Sequence, residues 1–122
     1  VAGLLRFASE QHLFGAYLSA IGAFERVTLG FFEFDKKEYK KIPVGEQVEL
    51  VSLVGNIAED DQGHPKLHAH VVVSKSDGAA YGGHLLDAYV RPTLEVIVVE
   101  SAKHLCRKTR PDLGVALLDL SQ

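Results

Sequence analysis

From Gly15 onward the chain is written largely in period two. Stretches rich in valine, isoleucine and leucine alternate with polar residues and are cut by short turns, a pattern that specifies strands and leaves little room for long helices. Thr93 to Glu100 (TLEVIVVE) carries the strongest β signal, with Val96, Ile97, Val98 and Val99 in succession. Gly15 to Ala23, Glu25 to Phe34, Gln47 to Ile57, Leu67 to Ser74, Tyr81 to Val90 and Val115 to Leu120 read as further strands. Tyr39 to Pro43 reads as a short edge strand, because its lysines and proline discourage unwanted pairing. Asp35-Lys36-Lys37, Asp60 to Gly63 and Ser76-Asp77-Gly78 supply turns. Only Val1 to Leu13 is clearly helical, with Leu4, Leu5, Ala8 and Leu13 set against Arg6, Ser9 and Glu10. A helical turn is also expected over Ala102 to Arg107. The sum is an α+β fold, a mostly antiparallel sheet of about six or seven strands with one principal helix packed on it.

Size and composition narrow the class. The 122 residues suffice for a single domain, residues 1–122, with a core that needs no staples. The first residues already lie in the helix with no capping residue ahead of them, so a strand missing from the N-terminus is expected. Hydrophobic residues make up 47% and charged residues 24%, the balance of a soluble globular protein. No apolar run approaches the ~20 residues that span a bilayer, and no cleavable leader is visible, so a cytoplasmic protein with no membrane partner is expected. The lone Cys106 excludes an internal disulfide and a thiolate zinc finger, and is read as an inert or half-buried thiol.

A net charge of −3 weighs against a protein whose main business is holding nucleic acid. Two basic groups, Lys36, Lys37, Lys40 and Lys41, and Lys103, Arg107, Lys108 and Arg110, lack interleaved aromatic residues and are read as solvated surface. There is no phosphate-binding glycine loop and no nucleophile elbow.

The chemistry gathers between His68 and His84 (HAHVVVSKSDGAAYGGH). His68 and His70 are two apart in a strand, so their imidazoles share a face. After the turn the chain returns with His84. Three imidazoles with one position open is the ligand set of a catalytic zinc site. Paired histidines in a strand fit partly buried residues bonded to backbone just as well. Gly82-Gly83 strengthens the metal reading, since glycines inside a strand make most sense where another backbone or a ligand comes close. On the residues alone the two readings stand side by side. Glu95 and Asp87 are the candidate carboxylates for orienting a ligating imidazole or moving a proton. Glu95 sits in an apolar strand and should have a partner or face an edge or interface. His12 and His104 are expected at surface or cap positions, and His64 in a solvated loop.

With these residues in view, the chain resembles the plants-and-prokaryotes conserved domain family. The likeness rests on Ala20-Ile21-Gly22-Ala23, Leu53-Val54-Gly55-Asn56-Ile57, His68-Ala69-His70, Gly82-Gly83-His84-Leu85 and Thr93-Leu94-Glu95-Val96, in that order and over nearly the whole chain. The resemblance implies an α+β subunit of a homotrimer, with the three histidines grouped at a metal site. Members of this family from plants carry AT-hooks, whose Arg-Gly-Arg-Pro core is absent here, so the DNA-binding role loses its motif. The fold also resembles that of acetolactate decarboxylase, which uses three histidines on zinc, an analogy that says nothing of substrate. The expected protein is therefore a trimeric metal-binding domain with His68, His70 and His84 on a divalent ion, zinc foremost, acting by regulation or on a DNA or protein partner. The alternative is a zinc-dependent lyase or hydrolase acting on a small molecule at the same site.

Overall fold

The computed structural model describes residues 1–102 and 105–120. One short helix, α1 (Ala2–Glu10), precedes seven strands: β1 (Gly15–Glu33), β2 (Glu38–Val44), β3 (Val48–Glu59), β4 (Pro65–Ser74), β5 (Ala80–Glu100), β6 (Cys106–Arg110) and β7 (Val115–Asp119). They form one sheet in the order β2-β1-β5-β4-β3-β6-β7. All pairings are antiparallel except the single bridge Glu59↔Cys106 between β3 and β6. This is the mostly antiparallel α+β architecture expected, with the lysine- and proline-bearing β2 on one edge.

An additional β1–β3 pairing closes β1, β5, β4 and β3 into a ring. Alternation then sorts side chains into an inside and an outside. Leu18, Phe24, Leu29, Leu53, Ile57 and Val73 are at most 2% exposed and fill the interior, each contributing roughly 1.5–3 kcal/mol through the apolar surface it removes from water. Closure is tight at Gly55, where an added Cβ would lie 2.4 Å from the His68 carbonyl oxygen, and at Gly22, where it would lie 2.3 Å from that of Thr93. α1 packs on β4 with Ala8 buried, and just beyond its end lies His12, an exposed residue with φ 55°.

Three elements differ from expectation. Gly15 to Ala23 and Glu25 to Phe34 are one strand, β1. Tyr81 to Val90 and Thr93 to Glu100 are likewise one, β5, which runs through Arg91-Pro92. The pairing of β1 with β5 shifts register between Gly22 and Phe24 and between Phe24 and Arg26, opposite this stretch. The helical turn expected over Ala102 to Arg107 is contradicted at Cys106 and Arg107, which begin β6, while residues 103 and 104 lie outside the described part. Cross-strand pairing with β7 and the bridge to β3 hold this segment extended.

The outer face connects the ring strands laterally. His84↔His70, His70↔Val54, Val54↔Ser19 and Ser19↔Ile97 are successive register partners, so one row of outward positions passes around the ring. Tyr17, Ile21, Val54, Ile97 and Val99 are all 48–68% exposed on this outer face.

Candidate metal centre

β4 and β5 bring the histidines together. Along β4, Ala69, Val71 and Val73 are buried, which turns His68 and His70 outward on the same side. The connection behaves as its residues require. Asp77 Oδ1 accepts the Ala79 N–H at 2.9 Å, Gly78 takes φ 85°, and Lys75 and Ala79 close the loop at 2.9 Å. That turn sets a register in which His84 lies directly opposite His70. Gly83 permits the approach: a Cβ there would lie 2.9 Å from the Gly30 carbonyl oxygen. Gly82 is less constrained, its nearest neighbour being the Val71 carbonyl oxygen at 3.4 Å.

The three rings meet with centroids 5.0 to 5.6 Å apart. One ligand nitrogen from each can be chosen so that all lie within 4.8 Å of one another. The Nε2 atoms of His68 and His70 are 3.3 Å apart, which equals the edge of a tetrahedron with bonds of ~2.0–2.1 Å to a central zinc. Burial is the main reason the His84 pKa falls from 6.5 to about 4, followed by the charges of His68, His70 and Arg107. His68 is lowered as well, by burial first and then by Arg107 and His70. Both are therefore neutral at pH 7, the form that ligates metal. The donor set fits a divalent ion.

Beside the imidazoles lies an open cavity of about 230 Å³ whose walls include His68, His84, Tyr39, Lys66, Asp60 and Arg107. The Tyr39 ring tilts over His84 at 4.7 Å between centroids. Burial raises the Tyr39 hydroxyl pKa. Asp60 is held charged below its usual range by N–H groups of His64 and Gln62, which its Oδ1 accepts at 2.9 Å each. Arg107 is the buried member of the set, only 6% exposed. Its Nη1 donates to the Lys66 carbonyl oxygen at 3.1 Å and its Nη2 donates to Asn56 Oδ1.

The sequence reading missed Arg107, which it placed in a solvated basic group. Lys108 and Arg110 are exposed, as expected, and among the described residues only Arg107 departs from that reading. Lys108 pairs with Asp119 at 3.0 Å and Arg110 with Asp112 at 3.4 Å, while Lys103 lies outside the described residues. Neither expected carboxylate lines the imidazole cavity. Asp87, opposite Thr28, lines a depression with Arg26 and Tyr89, and Glu95, opposite Ile21, lines another with Ser19 and Val54. Both are exposed. His64 is exposed in its turn, as expected, and His104 falls outside the described residues. Cys106 is half-buried; burial and the Glu59 carboxylate push its thiol pKa up, and Sγ donates to Glu59 Oε2 at 3.8 Å.

Fold and site together define a closed, mostly antiparallel β domain with an imidazole cluster on its outer wall. The model of the Plants and Prokaryotes Conserved (PCC) domain matches residues 1–102, and the chain belongs to that family. Its structure is similar to that of a plant- and prokaryote-conserved protein from Pyrococcus horikoshii, 32% identical, with a TM-score of 0.91 over 99% of this chain and 83% of that one. A candidate DNA-binding protein from Bacteroides thetaiotaomicron is also 32% identical, with a TM-score of 0.92 over 99% and 84% of the two chains. A metal-containing protein from Archaeoglobus fulgidus is 36% identical, with a TM-score of 0.88 over 97% and 83%. Over 119 residues the chain is 29% and 27% identical to the bifunctional protein GlmU of two Synechococcus strains, of whose lengths it spans only 18% and 17%. No helix among the described residues is long and apolar enough to cross a membrane.

Proposed function

We propose that this chain is the subunit of a small homotrimeric metalloprotein in which His68, His70 and His84 hold one divalent ion, and that the assembly acts by binding or regulation. The observation that carries the reading is the convergence of three ligand nitrogens within 4.8 Å. Three imidazoles favour zinc and leave one coordination position open, where the ion would supply Lewis acidity to an incoming ligand. The metal-containing Archaeoglobus relative supports an ion in the fold without specifying which. The test is metal analysis of protein purified without an affinity tag. Wild type should carry close to one zinc per chain, and His70→Ala with His84→Ala should carry almost none. Trace metal in wild type, or unchanged content in the double variant, refutes the site.

Trimer formation is supported by the apolar outer face, since exposed patches of this kind mark interfaces. A DNA partner is supported by the similarity to the candidate DNA-binding protein from Bacteroides. The pairing of Lys108 and Arg110 with carboxylates weighs against it. If DNA is held through phosphates, affinity must fall steeply with salt. The absence of any mobility shift with duplex DNA at low salt eliminates that role.

A zinc-dependent lyase or hydrolase is the second reading. It is favoured by the cavity that places Arg107 beside His68 and His84. Cobalt substituted for the native ion reports on the open position. A visible spectrum that does not respond to azide would mean the coordination is closed, and would exclude this reading.

A further inference from the structure

The Arg107 side chain is buried. Both groups that accept its hydrogen bonds, the Lys66 carbonyl and the Asn56 side-chain amide, are neutral. Among the described residues no carboxylate forms an ion pair with it, whereas Lys108 and Arg110, in the same strand, each have one. A buried cation is costly unless an anion accompanies it, and the cost grows when the site next to it is suited to a second cation. The acidic wall residue, Asp60, already has one oxygen occupied by two backbone N–H groups. An arginine also carries five N–H donors in a planar fork. The two bonds observed leave donors to spare.

We propose that the cavity between Arg107 and the imidazoles is a binding site for a small organic carboxylate. Arg107 grips the carboxylate through its fork, the geometry for which arginine is better suited than lysine. Lys66, on the cavity wall, adds a second positive charge. Tyr39, also on the wall, stacks its ring on His84. The other end of the molecule then lies against His68 and His84, within reach of an ion held there; this last contact rests on the metal reading, whereas the Arg107 contact does not. Neutral ligands of the same shape lose the charge-assisted bonds and are excluded.

Titration calorimetry on the full chain separates the two. Acetate, oxalate and inorganic phosphate are the anionic probes and acetamide the neutral isostere of acetate, each titrated into metal-loaded and chelator-treated protein whose metal content is measured. Oxalate or acetate should bind wild type, acetamide should not, and Arg107→Gln should weaken the carboxylates by about tenfold or more with metal content unchanged. Carboxylate binding that persists in the chelated protein and still depends on Arg107 upholds this proposal even if the metal reading fails. Full metal occupancy with no carboxylate binding overturns the proposal and spares the metal. Phosphate binding in place of carboxylates overturns the assigned class. Should Arg107→Gln fail to fold, Arg107→Lys keeps the charge and loses the fork; carboxylate affinity equal to wild type in that variant overturns the proposal, and a loss upholds it. A carboxylate from a neighbouring subunit seated on Arg107 would show as no binding at all, which also overturns it.

Discussion

An imidazole binds metal only when neutral, and the surroundings of His68 and His84 keep it so. Burial, helped by the neighbouring rings and Arg107, takes His84 from 6.5 to about 4. In the metal-stripped protein the unfolded chain therefore takes up a proton that the folded chain refuses. Stability should be flat above about pH 7 and fall between about pH 6.5 and 4, levelling once both states are protonated. Melting temperatures of the stripped protein across that window check this, and His84→Asn should flatten the curve. Equal slopes for wild type and variant would deny His84 the role. The two glycines preceding His84 should differ sharply. Gly83→Ala pushes a methyl against the Gly30 carbonyl and should cost about 1–3 kcal/mol by denaturant unfolding, with lower metal occupancy. Gly82→Ala should stay within about 0.5 kcal/mol. The shared face of His68 and His70 was legible because strand alternation is local. Arg107 was not, since a run such as CRKTR has no apolar period to betray a buried cation, and its partners Asn56 and Lys66 lie in distant strands.

Between elements, the β4–β5 hairpin was readable from Asp77-Gly78 and the valines before it, because turn chemistry and register are set over a few residues. The continuity of β5 was not. Arg91-Pro92 looks like a break, yet β1 pairs with both halves and carries the strand through. The β6–β7 hairpin was half legible: Val115 to Leu120 reads as a strand, but its mate depends on contacts far away. One bridge joins the hairpin to β3, and Thr109 is tied to Asp61 Oδ2 by its N–H at 3.2 Å and its hydroxyl at 2.6 Å. Held to β3 and β4 by one backbone bridge and side-chain bonds, those of Arg107 among them, rather than by a full ladder, the hairpin should open more readily than the ring. Hydrogen exchange should be faster in Cys106–Arg110 than in the β4 interior. Asp61→Ala should speed it further at a cost of about 1 kcal/mol. Equal protection of β4 and β6 would contradict this.

For the molecule as a whole, ring closure gives each of four strands a partner on either side over part of its length and leaves their apolar residues on two faces. Sequence cannot tell inside from outside there. Thr93 to Glu100 carries the strongest β signal, yet Ile97 is 68% and Val99 55% exposed. Val54, half exposed, is the register neighbour of His70, so an interface on this face would come up to the site itself. Ile97→Lys should convert the proposed trimer to monomers in sedimentation analysis, at a stability change within about 0.5 kcal/mol for the subunit. A mass unchanged from wild type would clear this face of that part. The site is also divided along the chain. The imidazoles belong to the ring, within the residues that match the PCC model, whereas Arg107 arrives on a hairpin beyond residue 102. The proposed ion ligands and the proposed anion grip are thus encoded in separate stretches, so that one could drift over generations while the other stood still.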